Sequence, residues 1–170
     1  ATDDHESDFA KIYWTCRQWS YDGFDRLYEQ LQVTPFERYV PESEVTPLGL
    51  EIVGQGLEKG VFTKSDGAVV FSGEDQGLHT RVFINSAGLP TYEAKDLGLA
   101  AHKWQAYHFD QNIIITANDI TEYMKVVLAA LQDFYPEAAK RTRHLAHGVI
   151  KLPGGVKMSS RKGNVLRAAD

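Results

Sequence analysis

Residues 112–134 read Asn-Ile-Ile-Ile-Thr-Ala-Asn-Asp-Ile-Thr-Glu-Tyr-Met-Lys-Val-Val-Leu-Ala-Ala-Leu-Gln-Asp-Phe. The three consecutive β-branched residues Ile113, Ile114 and Ile115 predict a central strand buried on both faces, and Ile120, Met124, Val127 and Leu131 fall on one face of a following helix. Working outward, Arg81 to Ile84 and His144 to Ile150 read as further strands, with a helical pattern over Pro90 to Trp104 between the first two. Strand, helix, strand, helix, strand implies parallel strands joined by crossover helices. The predicted class is α/β, with part of a doubly wound parallel sheet over residues 81–170.

The first 80 residues differ in character and predict helical and hairpin elements. Phe9, Ile12, Tyr13, Phe24, Leu27 and Leu31 have helical spacing, broken around Ser20 to Gly23 by turn formers, so the pattern predicts helix, turn, helix. Pro35, Pro41 and Pro47 punctuate a loop-rich stretch, and an amphipathic run from Leu48 to Lys59 ends at Gly60. Ser65-Asp66-Gly67 between Val61–Lys64 and Ala68–Phe71 signals a hairpin, because Asp-Gly supplies the positive φ angles a tight turn requires. The glycine-rich, basic tail beyond Leu152 has little apolar periodicity and predicts a mobile loop on the sheet.

Composition narrows the function classes. The 170 residues carry 18 Lys plus Arg against 23 Asp plus Glu, a formal charge of -5. Such a balance disfavours a stand-alone nucleic-acid binder, whose affinity comes mainly from Lys and Arg displacing counterions. The single cysteine, Cys16, rules out an internal disulfide framework and fits a reducing, cytoplasmic setting. No apolar run reaches the roughly 20 residues of a membrane span, so no membrane partner is expected.

The run Gly155-Val156-Lys157-Met158-Ser159-Ser160-Arg161-Lys162-Gly163-Asn164 concentrates lysines, hydroxyls and glycines. It lacks the spacing of a Walker A loop. It could wrap a polyphosphate and neutralise charge developing at phosphorus, or it could be a solvated basic loop. Tyr92 and Asp96, four residues apart on the predicted helix, share a face. Asp96 alone reads as a surface partner of Lys95 or of a neighbouring helix. His144 and His147 do not make a zinc pair, since residues three apart on a strand face opposite sides, and no metal site is expected from them. Trp104, Tyr107 and Phe109 read as core rather than as a base-stacking strip.

Lys157-Met158-Ser159-Ser160, with Arg161 and Gly163-Asn164 following, resembles the KMSKS signature of class I aminoacyl-tRNA synthetases, and of the arginyl branch in particular. Trp19-Ser20, Phe24-Asp25, Glu42-Ser43, Ser65-Asp66-Gly67-Ala68, Pro90-Thr91-Tyr92-Glu93-Ala94-Lys95-Asp96-Leu97 and His147-Gly148 extend the resemblance in the family's order. It implies the second half of a Rossmann-like catalytic domain, with its signature loop at 153–165. No His-x-Gly-His signature occurs in the chain, and no anticodon-binding domain follows, so the resemblance implies a fragment of a longer enzyme whose isolated form is inactive.

The resemblance further implies arginine, ATP and tRNA as partners and Mg²⁺ as the ion accompanying ATP. Glu42, Tyr92 and Asp96 would line the arginine pocket, where carboxylates suit a planar, forked guanidinium better than an ammonium. His147, Gly148, Val149 and Ile150 would run beside the adenine, with Lys157 and Met158 completing the ATP site. Lys157, Ser159, Ser160 and Lys162 would surround the triphosphate during catalysis. Ile120 stands where the family has a glutamine near the substrate's α-amino group; it belongs either to the substrate site or to the helix stripe with Met124 and Val127, capped by Asp119 and Glu122. A non-catalytic paralogue that binds nucleotide, amino acid or protein is the alternative.

Overall fold

The computed structural model describes residues 6–159, 161 and 163–165. The chain divides into two compact units, residues 40–150 and a second made of residues 1–39 with 151–170. This division falls at 39/40 and 150/151 rather than at the expected 80/81.

In the larger unit, α2 (Glu42–Lys59) packs on α3 (Tyr92–Tyr107). The helices meet through glycine: a Cβ on Gly98 would lie 2.7 Å from Gly49 N and closer still to the Val45 carbonyl. Helix α2 begins six residues before the predicted Leu48 and carries Pro47 inside it. The Thr46 hydroxyl donates to the Glu42 carbonyl at 2.8 Å across that turn. The end is as expected, with Gly60 in the left-handed region at φ 75°.

The predicted hairpin forms from β1 (Thr63–Ser65) and β2 (Ala68–Phe71). Ser65 pairs with Ala68 across a two-residue turn, with φ 47° at Asp66 and 78° at Gly67. Strand β3 (Arg81–Ile84), expected to open the parallel sheet, instead pairs antiparallel with β2. The short link over 72–80 allows that return, and Phe62, Phe71 and Phe83 meet in the core beneath the three strands.

The parallel pair is β4 (Asn112–Ala117) with β5 (Thr142–His147), joined through α4 (Thr121–Gln132) and α5 (Pro136–Arg141). Helix α5 has no counterpart in the periodicity reading. The expectation that β4 is buried on both faces is corrected: Ile113 is 50% and Ile115 67% exposed, because helices cover one face only. Asn112 and Thr142 point to the covered side, where Lys103 donates to Asn112 Oδ1 at 2.7 Å. Asn112 Nδ2 donates to Thr142 Oγ1 at 3.1 Å, and Thr142 donates to the Ala138 carbonyl at 2.7 Å. This chain of bonds pairs both buried polar residues, Asn112 and Thr142, which unpaired would cost more than they contribute.

In the smaller unit, α1 runs unbroken from Asp8 to Gln30 where a turn was predicted. Ser20 donates to the Cys16 carbonyl at 2.9 Å and Gln18 to Asp22 at 2.8 Å, so the presumed turn formers are satisfied inside the helix. The chain then folds back, Phe36 against Tyr28 and Tyr39 against Tyr21, and the Tyr39 hydroxyl donates to Asp25 at 2.8 Å. In the segment expected to be a mobile loop, the described residues include a short strand pair. Strands β6 (Lys151–Leu152) and β7 (Val156–Lys157) pair around Gly154 and Gly155, both at positive φ. Ser159 and Asn164 then form an isolated antiparallel bridge.

Candidate active site

The three residues expected to recognise an amino-acid side chain lie together on the α2–α3 pair. Glu42 is the first residue of α2 and Tyr92 the first of α3, with Asp96 one turn further along the same helix. Helix α3 starts at Tyr92 rather than at Pro90, with Thr91 at the N-cap, and the Thr91 hydroxyl donates to the Val82 carbonyl at 2.7 Å, which ties the helix start to β3.

Their environments differ. Lys95 Nζ donates to Glu42 Oε2 at 2.7 Å and sits 5.1 Å above the Tyr92 ring, so a cation of the chain itself contacts two of the three residues. Tyr92 is 67% exposed. Asp96 is half-buried, and burial raises its pKa above the usual carboxylate value, with the charges of Glu42 and Glu93 adding to the rise. A hydrogen bond from Tyr123 and the charge of Lys103 oppose it. That bond runs from the Tyr123 hydroxyl to Asp96 Oδ2 at 2.5 Å. Burial and the adjacent Asp96 push the Tyr123 phenol well above its ordinary range, so it stays a donor. Asp96 and Lys103 also line a small cavity of about 70 Å³ floored by Ile114, Met124 and Val127. Burial holds Lys103 below the usual lysine value.

Sequence reasoning missed Tyr123, Arg81 and Lys103 as members of this cluster. Tyr123 sits 27 residues from Asp96 on another helix, and only its place just past the carboxyl end of β4 could have suggested it.

Ile120 caps α4 after a 3₁₀ turn over Asn118–Ile120. It is half-buried and lies outside the main core cluster, whereas Val126, Ala130 and Leu131 belong to it. The N-cap position of α4 is Ile120, which brings no side-chain cap, and Glu122 accepts from Lys125 at 2.7 Å.

His147 ends β5, with Nδ1 2.8 Å from the Gly148 carbonyl oxygen, and Gly148, Val149 and Ile150 follow, all exposed. The space where a Gly148 Cβ would project is open. His144 is engaged elsewhere, its Nε2 2.7 Å from Thr116 Oγ1. Among the described residues, no group of three or more His, Cys, Asp or Glu side chains could hold a metal ion. Trp104 and Phe109 pack against the core as expected, but Tyr107 is exposed.

In the smaller unit, Lys157 closes the β6–β7 pair and Met158 follows. Ser159 N donates to Asn164 Oδ1 at 3.0 Å, and Gly163 has φ 70°. The side chain of Lys157, and Ser160 and Lys162 altogether, lie outside the described residues.

The described residues thus make an α/β chain with a parallel strand pair and carboxylates clustered between α3 and α4. The family described as tRNA synthetases class I (R), catalytic domain, matches residues 2–170. An arginine–tRNA ligase of Porphyromonas gingivalis is 34% identical over 160 residues, 94% of this chain and 26% of the relative. One from Flavobacterium psychrophilum is 34% identical over 161 residues, with the same coverage of 94% and 26%. The crystal structure of arginyl-tRNA synthetase from Plasmodium falciparum superposes with a TM-score of 0.71 at 18% identity, covering 85% of this chain and 26% of that one, and shows the likeness of fold. The chain belongs to the arginyl class I tRNA synthetase catalytic-domain family, and it spans about a quarter of the length of the curated relatives it matches. No helix among the described residues is long and apolar enough to cross a membrane.

Proposed function

We propose that this chain supplies the arginine pocket and part of the ATP site of an arginine–tRNA ligase. The observation that carries the reading is Asp96: a half-buried carboxylate with one oxygen held by Tyr123, set beside Glu42 and Tyr92 on two helices locked together by glycine. Each neighbouring cation already has a partner, Lys95 on Glu42, Arg81 on Glu93 and Lys103 on Asn112. A guanidinium is the ligand whose permanent charge and planar fork suit the acceptor that remains.

In the proposed reaction, a carboxylate oxygen of arginine attacks the α-phosphorus of ATP. A new P–O bond forms as the bond to the β-phosphate bridging oxygen breaks, giving arginyl-adenylate and pyrophosphate. The tRNA 3′-terminal hydroxyl then takes the arginyl group and releases AMP. Lys157, Ser159, Ser160 and Lys162 would stabilise charge building on the phosphates, and the backbone of His147, Gly148, Val149 and Ile150 would edge the adenine. Met158 would pack beside the nucleotide and Ile120 beside the α-amino end. Mg²⁺ would accompany ATP and neutralise part of the triphosphate charge, the hydroxyls of Ser159 and Ser160 being the oxygen donors of the basic segment. The setting is cytoplasmic.

The test is Asp96→Asn in the full-length protein, assayed by arginine-dependent pyrophosphate exchange. The arginine KM should rise about tenfold or more while the ATP KM stays within about twofold, as for loss of one partner of a desolvated charge pair. An unchanged arginine KM removes Asp96 from the pocket.

A further inference from the structure

We propose that Tyr123 is the positioning residue of the arginine pocket, its hydroxyl gripping Asp96 Oδ2 so that Oδ1 is presented as a fixed acceptor for one edge of the guanidinium. The inference rests on Asp96 receiving the guanidinium and adds a residue that neither the family match nor the sequence motifs assign.

An aspartate side chain has two rotatable bonds, and bidentate or in-line recognition of a planar cation requires its carboxylate to be held within about 0.5 Å. Asp96 gains that restraint from a different helix, through a 2.5 Å bond to the Tyr123 hydroxyl. The phenol is itself held. The Arg81 guanidinium lies over its ring at 5.3 Å, and Arg81 Nη1 donates to Glu93 Oε1 at 3.3 Å, so β3 and α3 clamp the ring from one side. Oδ1 of Asp96 makes no hydrogen bond among the described residues, and it is not among the buried polar atoms sealed from solvent. The charged groups that act on Asp96 are accounted for: Glu42 is paired with Lys95, Glu93 with Arg81, and Lys103 with Asn112. The remaining acceptor is therefore Oδ1. The same tyrosine oxygen keeps lone pairs after donating and so places a second acceptor next to the first.

Tyr123→Phe is the decisive variant, because it keeps the ring under Arg81 and removes only the hydroxyl. In the chain itself, ¹³C-detected NMR of the aspartate carboxyls should show the Asp96 titration moving to higher pH, since the variant deletes the interaction that favours the ionised form. In the full-length protein the arginine KM should rise about tenfold, with kcat and the ATP KM within about twofold. An unmoved Asp96 titration overturns the proposal. So does an unchanged arginine KM in Tyr123→Phe when Asp96→Asn raises it, an outcome that leaves Asp96 in the pocket. Equal weakening for both substrates, with a lowered melting temperature, assigns Tyr123 to folding and also overturns it. If Asp96→Asn itself has no effect on arginine, the parent reading fails and this inference with it.

Discussion

Gly98→Ala tests whether the α2–α3 contact holds the site together. The new methyl carbon would lie 2.7 Å from Gly49 N and 3.0 Å from Gly49 Cα, where ordinary contact begins near 3.4 Å, and it would be closer still to the Val45 carbonyl oxygen. All three atoms are helix backbone, so no side chain can swing aside, and the helices must part along a seam that includes Ile52, Val53, Ala94 and Leu97. Overpacking of this kind costs about 1–3 kcal/mol and occasionally more, while alanine returns up to about 1 kcal/mol of helix propensity. A net loss of about 2 kcal/mol, at roughly 4 °C per kcal/mol for a domain of this size, lowers the melting temperature by about 8 °C. Gly54→Ala is the control, because nothing lies within 4 Å of its would-be Cβ. It should stabilise by about 0.5–1 kcal/mol. Circular-dichroism melts of the two variants beside the parent chain decide the matter: a Gly98→Ala protein that melts at or above the parent temperature refutes the close-contact argument.

Two stability predictions follow from the interior polar groups. Asp96 has a pKa raised on folding, chiefly by burial, so the folded state binds its proton more tightly; its ionised form weakens folding above the folded pKa, and this penalty vanishes below the unfolded value of about 3.9. Asp96→Asn, which can still accept from Tyr123, should therefore raise the melting temperature at pH 7, and the gain should disappear by about pH 3; a variant less stable at neutral pH contradicts this. Thr142→Val keeps the shape but strands Asn112 Nδ2 and the Ala138 carbonyl, so urea unfolding should show a loss of about 1–3 kcal/mol, and a neutral result would mean water replaces the hydroxyl.

Local chemistry was legible wherever the deciding interaction lies within a few residues. Asp66-Gly67 dictates a two-residue turn, Gly60 ends α2, and the isoleucine run makes a strand, each through backbone preferences that need no distant partner. The same local reading put Tyr92 and Asp96 on one helix, and the spacing of short motifs pointed to the family that the comparisons then showed. It failed where a neighbour far along the chain settles the outcome. Periodicity marks Arg81–Ile84 as a strand but carries no information on which edge it joins, and the phenylalanines beneath β1 and β2 decided for the antiparallel hairpin. The turn expected near Ser20 gave way because hydroxyl and amide groups found partners four residues back or ahead along α1. Burial of β4 on a single face depends on which elements pack against it, a property of the assembled layers rather than of three isoleucines. At the site, sequence could name the carboxylates but not their states. Only the packed structure puts the Tyr123 hydroxyl on Asp96 and the Lys95 ammonium on Glu42, because side chains 27 and 53 residues apart meet only when helices from separate parts of the chain are brought into contact.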